Sequence, residues 1–214
     1  MARKINNLLR FDNNKKWLIF DFETEDLNLF SSRPWQLSYC LYQGNEKIEE
    51  YDKFPFWPDL KMSADAAKIT GFIYNEYKEK SEDPNEVLEH FEKYLFDRDI
   101  LISGANLIGF DIFIHNTFRR SLNKKSDYSY IERIYDIQNI EKAIEIGYQK
   151  PEGQSQTSWN FKLKSFNRKG LKTSVEYLCK KYSIPYDKNL AHNGLYDVGL
   201  TYQILKKQLY LINQ

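Results

Sequence analysis

The sequence is poor in cysteine, has almost no net charge and contains no long apolar run. Its two cysteines, Cys40 and Cys179, lack metal-ligand spacing, which predicts buried thiols of a reducing compartment and leaves a disulfide open. The formal net charge of +1 gives no overall attraction to a polyanion, so any such contact must come from a local basic cluster. No stretch approaches the roughly 18 apolar residues of a membrane span, and no signal-peptide core follows Met1. We therefore predict a cytoplasmic protein without membrane contact.

Aromatic residues, in contrast, are abundant. The 214-residue chain has 16 tyrosines and 14 phenylalanines, and 42% of its residues are hydrophobic while 29% are charged. This balance is typical of a globular chain, and the length fits a single domain over residues 1–214. Within it we predict an N-terminal extension over residues 1–15 and a mobile polar loop over residues 147–160.

The apolar patterns predict a mixed sheet flanked by helices. Strands are predicted over residues 17–22, 35–42, 47–54, 99–103 and 131–137. Helices are predicted over residues 63–69, 84–96, 111–120, 141–146, 174–182 and 193–209. The first three strands form an antiparallel meander, and Asp136 is expected to cap the helix that follows the last strand. This order of elements predicts an α/β fold with a mixed five-stranded sheet.

Acidic residues recur where predicted strands end and helices begin. Asp21 and Glu23 lie two residues apart at the end of the first strand, so both side chains point to the same face. Asp111 begins a predicted helix, and Asp197 lies in the last one. In layered α/β proteins these positions form the polar site, so we expect the four carboxylates to converge.

A cluster of four carboxylates would be strongly repulsive unless cations neutralised it. Hard oxygen ligands select Mg²⁺ or Mn²⁺, and we predict two Mg²⁺ ions, for which Mn²⁺ can substitute. Two such ions about 4 Å apart can hold the attacking and leaving oxygens of an in-line phosphoryl displacement. His192, five residues before Asp197, is placed to take a proton from the attacking water. These residues predict phosphodiester hydrolysis.

The same residues resemble the motifs of a known family. Asp21-x-Glu23-Thr24, Asn106-x-x-x-Phe110-Asp111 and His192-x-x-x-x-Asp197 resemble the three motifs of the DnaQ-like 3′→5′ exonucleases, in the DEDDh subgroup. Arg33-Pro34-Trp35-Gln36 is similar to the Arg-Pro-x-Gln of bacterial exonuclease I. Ile69-Thr70-Gly71-Phe72 resembles a segment found between the first two motifs. The resemblance covers roughly residues 17–210.

The resemblance implies a ribonuclease H-like exonuclease fold and a set of residue roles. The implied metal ligands and catalytic carboxylates are Asp21, Glu23, Asp111 and Asp197, with His192 as the general base. By the same analogy, the segment from Phe22 to Thr24 contacts the 3′-terminal nucleotide. Many relatives have His-Asn-x-x-Phe-Asp as the second motif, whereas here one more residue separates Asn106 from Phe110, as in exonuclease I and family B polymerases.

Further substrate contacts are predicted outside the carboxylate set. Phe72 and Trp159 are candidates for stacking on unpaired bases, which stabilises binding by roughly 1–3 kcal/mol per base. Lys164 and Arg168 belong to a basic cluster over residues 162–172, a region that in relatives lies beside the bound strand. Asn106 is a candidate contact within the second motif.

The predicted function is a metal-dependent 3′→5′ exonuclease that releases 5′-mononucleotides from single-stranded or frayed DNA. DNA is preferred because the second-motif spacing and the Arg-Pro-x-Gln segment are similar to those of exonuclease I. One alternative is an exoribonuclease of the ribonuclease T or oligoribonuclease type. Another is a proofreading or repair subunit that docks on a polymerase or other nucleic-acid-processing protein. A catalytically inactive nucleic-acid binder is a third, and the intact catalytic set argues against it.

Overall fold

The computed structural model describes residues 14–212, with side chains described for residues 14–209. The strands are β1 (Lys16–Thr24), β2 (Pro34–Gln43), β3 (Glu46–Pro55), β4 (Ser81–Glu82), β5 (Ile100–Gly104) and β6 (Ile134–Asp136). The helices are α1 (Ala64–Thr70), α2 (Tyr74–Lys80), α3 (Pro84–Leu95), α4 (Asp111–Ser121), α5 (Ile137–Ile146), α6 (Gln156–Ser165), α7 (Val175–Lys181) and α8 (Gly194–Ile212). No helix in this part of the chain has the length and apolarity needed to cross a membrane. The predicted N-terminal extension, apart from its last two residues, lies outside the described residues.

The six strands form one mixed sheet in the order β4-β3-β2-β1-β5-β6. The antiparallel pairing of β1 with β2 and of β2 with β3 confirms the predicted meander. β5 runs parallel to β1, and β6 runs parallel to β5. The prediction of five strands missed β4, which pairs with the end of β3. A strand of two residues is too short to show an alternating apolar pattern.

Apolar side chains cover both faces of the sheet. Along β1, Leu18 and Phe20 belong to one core cluster, whereas Trp17 and Ile19 belong to the other, because successive side chains point to opposite faces. The first face packs against α3 and α4, and the second against α5, α6, α7 and α8. Both cysteines are buried as free thiols, which confirms the predicted burial and not the alternative of a disulfide.

The segment over residues 147–160 differs from its prediction. α5 ends at Gly147 in the left-handed conformation, but the predicted loop does not continue to residue 160. Ser155 caps α6, accepting a hydrogen bond from the backbone N–H of Ser158 at 3.1 Å. Trp159 lies in this helix and is 1% exposed, packed in the second core cluster. Few apolar residues precede Trp159, so this segment shows no helical periodicity strong enough to predict α6.

Two helices, α4 and α8, begin next to the catalytic-motif residues Asp111 and Asp197. α4 starts at Asp111, directly after β5 and the short 3₁₀ helix Leu107–Gly109. α8 starts at Gly194, where an added Cβ would lie 2.0 Å from Ser38 Oγ. This glycine therefore allows the start of α8 to pass close to β2. The close passage brings the first turn of α8, with Asp197, toward the end of β1.

Candidate active site

The five predicted catalytic residues line one cavity of about 290 Å³. They are Asp21, Glu23, Asp111, His192 and Asp197. β1 supplies the first two, α4 begins at the third, and the last two flank the start of α8. The sequence separates these residues widely, and the sheet brings their supporting elements together, as predicted.

Asp111 connects the start of α4 to β1. Its side chain is buried, and its Oδ1 accepts a hydrogen bond from the backbone N–H of Phe22 at 3.1 Å. The Phe22 ring packs in the core, with centroids 5.8 Å from the Phe20 ring and 5.7 Å from the Phe91 ring. The ring of Phe22 is therefore committed to packing, and its backbone is the part that Asp111 holds at the cavity.

Burial and mutual repulsion raise the pKa values of the carboxyl groups. Burial raises the pKa of Asp21 well above its ordinary value, and the charges of Asp111, Glu23 and Asp197 raise it further. Burial also raises the pKa of Asp111 to about 8 and that of Asp197 to about 6. Asp21 and Asp111 can therefore both be ionised at neutral pH only when positive charge is added to the cavity.

The donor set of the cavity fits a hard divalent cation. Within residues 14–209, no lysine or arginine forms an ion pair with any of the four carboxyl groups, and the ion-pair contact recorded for them there is that of Glu23 with His192. Oxygen ligands of this kind suit Mg²⁺ and Mn²⁺. In the side-chain positions described, no three His, Cys, Asp or Glu residues are arranged to hold an ion directly. Binding would therefore require these side chains to close around the ion.

His192 lies at the rim of the cavity with 51% of its side chain exposed. Its backbone is left-handed, with φ of 64°, which is uncommon for a residue other than glycine. A hydrogen bond from its backbone N–H to Asp197 Oδ2, 2.9 Å long, holds this conformation. Its Nδ1 lies 3.8 Å from Glu23 Oε1, and the Glu23 carboxylate raises the pKa of His192 above its ordinary value while partial burial opposes the rise.

Asp136 supports the second motif from the neighbouring strand. Its buried carboxylate accepts hydrogen bonds from the backbone N–H groups of Gln138 at 2.9 Å, Ile108 at 3.2 Å and Asn106 at 3.3 Å. The first of these bonds confirms that Asp136 caps α5. The other two fix the turn before Asp111, a role that residue spacing along the chain does not reveal because it joins β6 to the end of β5.

The predicted substrate contacts differ in their distance from the cavity. Asn106 lines it, and its Oδ1 accepts a hydrogen bond from Lys164 Nζ. Phe72 lines a second cavity, of about 530 Å³, which shares His192 with the first. Arg168 is exposed, 4.0 Å from Glu145 and outside both linings.

Two predicted contacts need correction. Trp159 is buried in the core, so the prediction that its ring stacks on a base is wrong. Thr24 is also buried, and its hydroxyl donates a hydrogen bond to the backbone oxygen of Asp26 at 2.5 Å. The Thr24 side chain therefore serves the loop after β1, and a contact from this residue to a nucleotide would have to involve its backbone.

Sequence reasoning missed several residues of the cavity lining. Thr201 lies four residues after Asp197 in α8, and helical spacing from Asp197 would have identified it. Tyr186 and Val175 come from the segments around α7. Neither carries a motif, so the sequence contains no signal for them.

A family model described as Exonuclease, of the RNase T type, matches residues 18–205, and the chain belongs to this exonuclease family. The predicted DnaQ-like membership is thereby confirmed. No curated protein sequence matches the chain significantly.

Solved structures of exonuclease I share the fold. The complex of Escherichia coli exonuclease I with a dT13 oligonucleotide is 19% identical with a TM-score of 0.70, covering 92% of this chain and 41% of that one. Its complex with a dA16 oligonucleotide is 19% identical with a TM-score of 0.71, covering 94% and 42%. A product-bound exonuclease I is 18% identical with a TM-score of 0.69, covering 94% and 45%. The chain thus spans less than half the length of these proteins, and the match confirms the predicted ribonuclease H-like α/β fold.

Proposed function

We propose that this chain is a metal-dependent 3′→5′ exonuclease that hydrolyses the terminal phosphodiester of single-stranded or frayed DNA and releases 5′-mononucleotides. The observation that carries the proposal is the convergence of four carboxylates and His192 in one cavity of an exonuclease-family fold. The cavity concentrates negative charge without a lysine or arginine ion pair among the described residues. That arrangement suits a site that recruits cations together with a phosphodiester.

The residues of the cavity divide the chemical work. Asp21, Glu23, Asp111 and Asp197 would hold two Mg²⁺ ions, for which Mn²⁺ can substitute, and the bound ions supply positive charge to the attacking and leaving oxygens. His192 takes the proton of the attacking water on its imidazole. Glu23, 3.8 Å from His192 Nδ1, stabilises the imidazolium that forms. The hydrogen bond from the Phe22 N–H to Asp111 holds the start of α4 against β1, the strand that carries Asp21 and Glu23.

The bound DNA strand would extend from this cavity along the residues that surround it. The backbone of residues 22–24 would contact the terminal nucleotide. Phe72, in the cavity that also reaches His192, is placed to stack on a base outside the catalytic pocket. Asn106 and Lys164 border the second-motif side, and Arg168 is exposed farther along the same basic segment.

Two alternatives rest on specific observations. The family model is of the RNase T type, which favours RNA as a substrate and makes an exoribonuclease the second candidate. One similar structure is a complex of exonuclease I with SSB-Ct, at 16% identity and a TM-score of 0.66. By analogy, this chain would work as a proofreading or repair subunit docked on another nucleic-acid-processing protein.

The test is degradation of matched 5′-labelled single-stranded DNA and RNA oligonucleotides in Mg²⁺ or Mn²⁺. We expect stepwise shortening from the 3′ end, faster for DNA. Asp21→Ala and His192→Ala should each abolish or strongly reduce it, because general-base catalysis alone contributes about 10²–10⁴-fold. His90→Ala is the matched control, since His90 lies on α3 against Tyr39 rather than in the cavity.

Each outcome selects among the candidates. Faster shortening of RNA would select the exoribonuclease. Shortening of neither substrate in either metal would refute independent catalysis and favour the docked subunit. Shortening that survives both active-site substitutions would show that another protein or another site is responsible.

A further inference from the structure

The turn before Asp111 contains a glycine whose missing side chain leaves room for another residue's ammonium group. Gly109 ends the 3₁₀ helix Leu107–Gly109. A Cβ added there would lie 2.2 Å from Lys164 Nζ and 2.4 Å from Asn106 Oδ1. Gly109 is not among the residues with positive φ, so its backbone conformation would accept an alanine. Close approach of Lys164 is therefore the structural reason for a glycine at this position.

The Lys164 ammonium is held beside Asn106 and has no neutralising partner among the described side chains. It donates a hydrogen bond to Asn106 Oδ1, and Asn106 lines the cavity beside Asp21 and Asp111. Among the residues with described side chains, no carboxylate lies within ion-pair distance of Lys164. An ammonium has three N–H donors, so two remain after the bond to Asn106.

α5 fixes both sides of this contact. At its first turn, Asp136 holds the backbone N–H groups of Asn106 and Ile108. Six residues later, Lys142 Nζ donates to three backbone oxygens at the end of α6, those of Leu163 at 2.9 Å, Phe166 at 3.0 Å and Lys164 at 3.1 Å. One helix therefore sets the turn that carries Asn106 and the helix end that carries Lys164.

We propose that Gly109, Asn106 and Lys142 form a seat that fixes the Lys164 ammonium as the contact for a backbone phosphate of the substrate strand, on the second-motif side of the cavity. This inference rests on the proposed nuclease function and assigns one of its phosphate contacts. A phosphodiester entering a cavity lined by four carboxylates meets repulsion, and a fixed cation at the rim offsets it. A lysine normally loses much rotamer freedom when it binds, and prior ordering by Asn106 reduces that loss on binding. In this arrangement Lys164 binds the phosphate, and Gly109 and Lys142 act as positioning residues.

The seat is tested by a double-mutant cycle of Gly109→Ala and Lys164→Ala. Binding of a fluorescent oligo-dT is measured by anisotropy in EDTA, so that no turnover occurs, over a series of salt concentrations. We expect each single variant to weaken binding about three- to tenfold. Loss of one phosphate contact should also reduce the slope of log K against log salt by about 0.7. The double variant should bind nearly as well as Lys164→Ala alone, because the alanine at residue 109 displaces the ammonium and Asn106 Oδ1, which is the acceptor for that ammonium.

The matched control is Lys124→Ala. Lys124 follows α4, and its ammonium pairs with Glu89 Oε1 at 3.1 Å, outside both cavity linings. This variant should leave the salt slope unchanged. Lys142→Arg should retain more of the salt slope than Lys142→Met, since an arginine can still donate to the carbonyl groups at the end of α6.

Three results would overturn the seat. One is an unchanged affinity and salt slope in Lys164→Ala, a result that decides the matter even if Gly109→Ala fails to fold by circular dichroism. Another is an additive double variant, which would show that Gly109 acts independently of Lys164. The third is absence of oligo-dT binding by the wild-type protein. Shortening assays on the same preparations separate the two proposals, because a wild type that shortens DNA while Lys164→Ala binds normally refutes the seat and retains the nuclease.

Discussion

Asparagine in place of Asp111 should stabilise the metal-free protein and abolish its activity. The carboxyl group has an ordinary pKa of 3.8, and burial raises its pKa in the fold to about 8. At pH 7 the group is ionised in the unfolded chain and protonated in the folded one. Folding at pH 7 therefore requires Asp111 to be protonated about 3 pH units above its unfolded pKa. At about 1.36 kcal/mol per unit, this protonation costs up to about 4 kcal/mol.

Asparagine avoids this cost because it carries no charge in either state. Its Oδ1 can still accept the hydrogen bond from Phe22, which is 3.1 Å long in the wild type. We expect Asp111→Asn to raise the free energy of unfolding in EDTA at pH 7 by up to about 4 kcal/mol. In a protein of this size each kcal/mol corresponds to about 2–4 °C in Tm, so the variant should melt roughly 10 °C higher.

The pH dependence has a definite sign. Because the folded pKa of Asp111 lies above the unfolded one, the folded state binds more protons between pH 3.8 and about 8. The free energy of unfolding of the metal-free wild type should therefore fall as the pH rises through this range, and Asp111→Asn should remove that part of the slope. Added Mg²⁺ should stabilise the wild type, by about 2.7 kcal/mol at 100 times its Kd, and should stabilise the variant less.

Urea unfolding at several pH values, in EDTA and in Mg²⁺, measures all of these quantities. Asp136→Asn is the matched control, since burial also raises the pKa of Asp136 but three backbone hydrogen bonds to its carboxylate oppose that rise. In this variant the amide NH₂ replaces one carboxylate oxygen, so at least one of the three backbone N–H groups loses its acceptor. Asp136→Asn should therefore lower the free energy of unfolding by about 1–3 kcal/mol. A loss of stability for Asp111→Asn in EDTA, or the same sign of change for both variants, would refute the reasoning.

Three further predictions follow from packing and burial. Trp159→Ala should lower the free energy of unfolding by about 3–5 kcal/mol in urea, and full stability with weaker substrate binding would contradict its place in the core. Burial lowers the pKa of His115 below 6.5 despite the nearby Glu92, so the contribution of His115 to the free energy of unfolding should fall as the pH drops below about 6.5. His115→Gln should lack this decline, and an equal slope in both proteins would contradict it. Gly194→Ala should reduce kcat by roughly 100-fold, because its Cβ would lie 2.0 Å from Ser38 Oγ. An added Ser38→Gly substitution should restore part of that rate, and full activity of Gly194→Ala alone would show that α8 need not approach β2 closely.

The convergence of the five candidate residues was predictable because each lies in a local pattern that the sequence displays. Asp21 and Glu23 follow an apolar strand with alternating faces, and Asp111 begins an amphipathic helix. Their order along the chain, together with His192 and Asp197, matches one family. Local patterns and their order were sufficient to predict that the five residues lie together.

The errors arose where tertiary contacts override local patterns. α6 was missed because its sequence has little helical periodicity, and it is stabilised by burial of Trp159 and Leu163 against the sheet. The two-residue strand β4 exists through its pairing with β3. The approach of Lys164 to Gly109 joins residues 55 positions apart, so no window along the chain reveals it.

The site is also incomplete until α8 has been synthesised. Asp21, Glu23 and Asp111 are translated well before Asp197, which lies in α8, and α8 packs on β1, β2 and β5. The 86 residues from Ile112 to Asp197 take about 4–17 s to translate at about 5–20 residues per second. During that time a nascent chain carries three of the four carboxylates and lacks the histidine. The fold therefore delays assembly of the active centre until the strands that α8 covers have already been made.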